Sequence, residues 1–97
     1  MNTITVHALI RAKEGRIAEV REAALKLVPL TRAEPGCLRY DLHESLDDPR
    51  LFMFFETFKD MAAFETHKNA PYLKDFVHTT LPELTDDFQV TLLKQIA

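Results

Sequence analysis

The run LFMFFETF, residues 51–58, constrains the fold more than any other part of the chain. In an extended strand successive side chains point to opposite faces, so Leu51, Met53 and Phe55 share one face while Phe52, Phe54 and Phe58 share the other. Both faces are apolar, and each needs a cover. A second extended run begins at about Cys37, and Ser45-Leu46-Asp47-Asp48-Pro49-Arg50 between the two is rich in residues that bend the chain. Together they predict a hairpin whose two sides must both be buried by something else.

The rest of the chain supplies one cover. Residues 3–11 alternate, with Ile4, Val6, Ala8 and Ile10 on one face and Thr5, His7 and Leu9 on the other, which predicts a first strand. Ile17, Val20, Ala24, Leu27, Val28 and Thr31 then recur at steps of three and four opposite Arg16, Glu19, Arg21, Glu22 and Lys26, the pattern of an amphipathic helix. A kink or break is expected at Pro29 and an end at Pro35-Gly36. Asp60 predicts the N-cap of a helix containing Met61, Phe64 and His67, and Pro71 opens another with Tyr72, Leu73, Phe76 and Val77, closed by Pro82. DFQVTLLKQI at the end alternates as a fourth strand.

The order is βαββαβ. Two right-handed crossovers put both helical layers on one face of a four-stranded antiparallel sheet, an α+β, ferredoxin-like fold. The helices cover one face of the hairpin, and 97 residues leave no spare element for the other. A second copy is the expected cover, giving a homodimer packed through Leu9, Met53, Phe55 and Leu93 as a dimeric α+β barrel.

A chain of this length predicts a single domain, 1–97, small enough to gain from association. Its net charge of −3, with Lys and Arg scattered among acids, argues against nucleic acid as a partner. No apolar run approaches the roughly 18 residues of a membrane span, and the polar start lacks a secretory core, so a cytoplasmic protein with no membrane partner is expected. The single cysteine, Cys37, cannot form an internal disulfide.

Several of these residues also carry a resemblance. Ala8, Gly15, Glu34-Pro35-Gly36-Cys37-Leu38, Tyr40, Asp48-Pro49, Phe52, Glu56, and His67 after Phe64 make the chain similar to the antibiotic biosynthesis monooxygenase (ABM) family, especially its small bacterial quinol-monooxygenase-like members. The resemblance implies a dimeric α+β barrel with a pocket between sheet and helices in each protomer. It puts Ala8 and Phe58 on the pocket wall, to which strand parity adds Val6, Ile10, Leu38, Tyr40, Leu42, Phe52, Phe54 and Glu56. The haem-degrading branch of the family has a strand-one Asn, a Trp and an axial His where this chain has Ala8, Phe58 and Tyr72, so the resemblance implies neither haem nor any other cofactor.

On that wall Glu56 is exceptional. A carboxylate between Phe54 and Phe58 costs on the order of several kcal/mol unless it is paired or neutralised, which makes it either a structural anchor or a working group. His67 reads from its helix as a residue on the shoulder of the apolar stripe, either half-exposed and bonded to a carbonyl or reaching the pocket as a general base. The resemblance favours the pocket. Tyr40 and Tyr72 offer phenolic hydroxyls that can orient a substrate oxygen, or simply pack. Cys37 reads as a small buried hydrophobe. His7 and His43 fall on the partner-facing parity with Arg39 and Asp41, where a paired charge cluster is expected, and His78 lies on the last helix. No pair has metal-ligand spacing, so no metal is expected.

The reading that joins these residues is a cofactor-independent monooxygenase acting with O₂ on a small hydroxylated aromatic such as a quinol. In it His67 is the base, Glu56 and Tyr40 orient the base or the substrate, and Phe52, Phe54, Phe58 and Phe64 stack on the ring and exclude water, with Ala8 and Tyr72 completing the substrate site. Two alternatives remain at this point. One is an isomerase of a small, phosphorylated or unphosphorylated, carbonyl compound, for which Arg11, Arg32 or Lys68 could supply a cation. The other is a non-catalytic ligand-binding dimer.

Overall fold

A computed structural model describes residues 2–97. In chain order the elements are β1 (Ile4–Ala12), α1 (Ile17–Arg32), β2 (Cys37–Glu44), β3 (Leu51–Phe58), α2 (Met61–Asn69) and α3 (Pro71–Asp75), then a π-helical turn over Phe76–Thr80, α4 (Leu81–Leu84) and β4 (Thr85–Leu93). The strands form one antiparallel sheet in the order β2-β3-β1-β4. This is the ferredoxin-like arrangement that the periodicity predicts.

Register fixes which side chains meet beneath the helices. Leu92, Val6, Glu56 and Tyr40 form one row across the four strands, and Val90, Ala8, Phe54 and Leu42 form the next. Helix α1 lies over this face through Val20, Ala24, Leu27 and Thr31, all buried and spaced by four, three and four. Asp60 begins α2 by accepting a hydrogen bond from the backbone N–H of Ala63 at 2.8 Å. At the turn into α1, Gly15 holds a φ of 79°, a left-handed conformation that favours glycine.

The prolines act differently from expectation. Helix α1 runs unbroken through Pro29 to Arg32, because Pro29 stands in the last turn and forgoes a single helical bond, while its own carbonyl still accepts from the N–H of Ala33. Pro82 does not close the helical region. It occupies the first turn of α4, where a missing N–H goes unused, and β4 starts soon after at Thr85 and ends at Leu93, short of Ile96.

Leu38 also departs from the parity reading. Cys37 pairs with Phe58 and Arg39 with the adjacent Thr57, so one extra residue bulges from β2 and Leu38 turns out to 60% exposure instead of joining the pocket wall. On the sheet face away from the helices, Met53 and Phe55 are half-buried, and the His7 and His43 rings meet Phe55 edge-on at 4.5 and 4.9 Å. Arg39 and Asp41 form an exposed ion pair on β2, joined by Arg32 at 3.2 Å from Asp41, and these arginines hold the Asp41 carboxyl below the usual carboxylate range.

Candidate active site

The site begins with a close approach between backbones. A methyl group on Gly36 would lie 2.3 Å from Cβ of Ala63, so only glycine lets the segment after α1 press against α2. The Gly36 carbonyl accepts from the N–H of Lys59 at 2.9 Å and ties that segment to the end of β3. This packing carries Glu34 to His67. Imidazole Nδ1 lies 2.9 Å from Glu34 Oε2, placed to donate to a carboxylate oxygen. On the other side of the ring Nε2 faces Glu56 Oε1 at 3.7 Å, beyond hydrogen-bond range.

Glu34 is itself held. The Tyr72 hydroxyl donates to the same Oε2, and Thr31 Oγ1, 3.1 Å from that hydroxyl, must then donate to it. The chain therefore runs Thr31 to Tyr72 to Glu34, with His67 donating from the other side. Burial and the Glu34 charge push the Tyr72 phenol above its ordinary range, so it stays a donor.

His67 is not on the shoulder of its helix. It is only 3% exposed, packed against the rings of Phe58 at 4.9 Å and Tyr40 at 5.7 Å. The buried face of α2 runs through Phe64 and His67, whereas Met61 is 46% exposed. Glu56 is also buried, and no side chain of the described residues makes an ordinary hydrogen bond to it. Burial first, and the Glu34 charge second, push its carboxyl up to about 8, so it is mostly the neutral acid at pH 7. Burial and the charge of Glu56 likewise push the Tyr40 phenol upward.

These groups form the floor of a cavity of about 450 Å³ between sheet and helices, a size suited to a small organic molecule. Tyr40, Glu56 and His67 line it together with Ala8, Phe54 and Phe64, as expected. Besides the exposed Leu38, four expected lining residues are elsewhere, and the first, Leu42, packs partly buried against the core. Phe52 and Phe58 are wholly buried behind the wall, Phe52 beneath α1 with the Arg21 guanidinium 5.8 Å from its ring centroid and Phe58 behind His67. Tyr72 spends its hydroxyl on Glu34. Strand parity reports a face, not a depth, and the helices seal the inner rings from the cavity. Of the cations considered for a charged substrate, Arg11 pairs with Asp48 and Arg32 bonds the Tyr40 carbonyl and Asp41, while Lys68 does line the cavity.

Glu34 is the site residue that the chemistry-led reading missed. It signals itself only indirectly: it stands just past the C-terminus of α1, where the helix dipole disfavours an anion, so a carboxylate there calls for a donor. Lys74 and His78 at the cavity edge were likewise unassigned. Among the described residues no group of three His, Cys, Asp or Glu side chains is arranged to hold a metal ion, and no helix is long and apolar enough to cross a membrane.

Comparison with known proteins agrees with this architecture. The profile of the antibiotic biosynthesis monooxygenase family matches residues 3–79. The chain belongs to that family. It is 34% identical over 74 residues to "Putative monooxygenase YcnE" of Bacillus subtilis, covering 76% of this chain and 78% of that one. It is 28% identical over 91 residues to the uncharacterized protein sll1783 of Synechocystis, covering 94% of this chain but only 62% of that relative's length. The crystal structure of SO0527 from Shewanella oneidensis superposes with a TM-score of 0.95 at 37% identity, covering 97% of this chain and 91% of that one. In this chain the buried His67 and Glu56, with the part-buried Glu34 behind the imidazole, form the candidate centre of the cavity.

Proposed function

We propose that this ABM-family protein is a cofactor-independent monooxygenase that oxidises a quinol-type aromatic with O₂. One observation carries the reading: a histidine oriented by a carboxylate stands beside a carboxylic acid kept neutral by burial, all facing an apolar cavity. An imidazole beside a carboxyl that burial keeps protonated offers a base and an acid in one cavity.

The chemistry then follows from the substrate. His67 Nε2 takes the phenolic proton, and the imidazolium is stabilised by Glu34 as its positive charge forms. The electron-rich phenolate passes an electron to O₂, and the two radicals join to form a carbon–oxygen bond and a ring peroxide. Glu56, still protonated, gives its proton to the distal peroxide oxygen. As the O–O bond breaks, the His67 imidazolium supplies the second proton of the leaving water, while the ring carbon that carries the new oxygen loses its own proton to Glu56 and the C–H electron pair closes the carbonyl. One oxygen atom stays on the ring, the other leaves as water, and the quinol supplies all four electrons on its way to a hydroxyquinone. No external reductant enters the balance. Phe54 and Phe64 keep the cavity dry and give the ring a surface to lie on.

The test is oxygen uptake with hydroquinones prepared without air, using oxygen-18 gas. Consumption of one O₂ per quinol, with label both in the hydroxyquinone and in water, is expected. Uptake no faster than autoxidation, or product carrying no label, would falsify the reading. Lys68 on the cavity favours one second reading, isomerisation of an anionic carbonyl compound by the same base. That would appear as solvent hydrogen exchange into substrate without oxygen uptake.

The open sheet face supports a homodimer. Leu9, Met53 and Phe55 lie half-buried there beside Leu93 at 39% exposure, an apolar surface that a second copy of the sheet would complete.

A further inference from the structure

We infer that the substrate of this cavity is an anion, a hydroxylated aromatic with a carboxylate or phosphate at the end opposite its reacting hydroxyl, held by Lys68 and Lys74 with His78 beside them. The inference rests on the reading of this cavity as the active site and adds the substrate's charge and orientation.

On its helical side the cavity is sorted by polarity along its depth. Tyr40, Glu56 and His67 line it from buried positions, whereas the exposed residues that mark its mouth are Lys68, Lys74 and His78 on the helical side and the apolar Phe88, Val90 and Leu92 on β4. The arrangement follows from helix geometry. Lys68 comes from the last turn of α2, while Lys74 and His78 are four residues apart, on one side of α3 and the π-helical turn that continues it. Leu73 and Val77, also four apart, make the adjacent row and line the cavity too. An apolar row and a basic row thus share one helical surface. No ionised acid among the lining residues opposes the basic row, because Glu56 is the only carboxylic acid there and it lies neutral on the floor. The nearest counter-charge to Lys68 is Glu65 at 3.5 Å, an exposed pair one turn back that holds the ammonium weakly.

An anionic amphiphile in such a cavity is favoured in one sense. An anionic group driven to the floor would lose its hydration among phenylalanines and meet Glu34 behind His67. Left at the mouth, it keeps its water and gains two ammonium groups, while the hydroxyl goes down to His67. The basic mouth therefore selects and points the substrate, and the acid–base pair below it does the chemistry.

The probes are a hydroxynaphthoate with hydroxyl and carboxylate at opposite ends of the bicyclic ring, its methyl ester, and the corresponding phosphate monoester. Binding is followed by naphthol fluorescence without turnover, alongside the His67 imidazole resonance. Tighter binding of either anion than of the ester by about tenfold, equal to about 1.4 kcal/mol, is expected, shrinking as salt is raised. The carboxylate and phosphate arms decide which anion is preferred. In the Lys68→Gln/Lys74→Gln double variant, whose changes are on the surface, anion and ester should bind alike. Ester binding equal to that of both anions, with the His67 resonance shifting, would overturn the anionic substrate while leaving the cavity as the site. Binding of none of the three, with the resonance unmoved, would sink both.

Discussion

The two faces of β3 are equally apolar in sequence and opposite in fate. On the helix side Phe52, Phe54 and Phe58 are at most 2% exposed, and they enclose Glu56 so tightly that its carboxyl stays neutral near pH 7. On the other side Leu51, Met53 and Phe55 are only half-covered, and Phe55 is bordered by two histidines rather than by a helix. The difference lies in what rests on each face, not in the strand. A carboxylate on the open face would be solvated and ordinary; beneath the helices the same group becomes an acid able to donate a proton at neutral pH. Chemistry should therefore depend on the covered face and assembly on the open one.

The most drastic way to test that division is Phe55→Asp. A charge placed in the proposed dimer surface should leave aggregate or unfolded chain rather than a soluble monomer, as read by sedimentation and circular dichroism, since the remaining patch is too large to leave bare. A well-folded monomer of the unaltered chain at micromolar concentration would end the assembly argument.

On the covered face, His67→Ala should lower kcat by roughly 10²- to 10⁴-fold, the range of a lost general base, and Glu34→Gln by roughly 10- to 100-fold, the scale of losing the partner that orients a reactive histidine. The alanine variant should also melt lower, because His67 is fully packed between two acids and two rings, and both variants should keep the oligomeric state of the parent. Turnover at the native rate by His67→Ala would mean that another group is the base.

The smallest effect concerns Glu56 and pH. Its carboxyl is raised in the folded chain from 4.5 to about 8, so its neutral form contributes stability that is whole below about 4.5 and lost as pH rises toward 8. At about 1.4 kcal/mol per pKa unit the full effect is on the order of 5 kcal/mol, spread gradually over that range. Glu56→Gln keeps the shape and cannot ionise, so its Tm should gain on the parent steadily between those pH values, and the falling limb of the rate near pH 8 should vanish along with most of the rate. A parallel pair of Tm curves would place the Glu56 carboxyl in an ordinary, hydrated environment.

Much of the fold was legible because it is periodic. Val20, Ala24, Leu27 and Thr31 announce their helix by spacing, and the alternation in β1 and β3 assigns each side chain to a face. Periodicity fails where the chain stops repeating. The bulge at Leu38 reverses a residue that parity alone puts on the wall, and Phe52 and Phe58 share a face with Phe54 but lie too deep to reach the cavity. His67 and Glu56 stood out as polar residues among apolar neighbours. Their partner Glu34 did not, because it lies in an aperiodic segment 33 residues from His67 and is brought there by tertiary contacts such as that of Gly36 with Ala63.

That separation gives the centre the character of a docking gauge. Base and orienting carboxylate ride on different pieces of chain, and they meet only while α2 is seated against the segment that follows α1. If α2 lifts away, even briefly, Nδ1 loses its acceptor, the imidazole can rotate or change tautomer, and Glu56 is opened to water and ionises. A chain in which α2 has come away thus has no working remnant of the site, even where the sheet is intact.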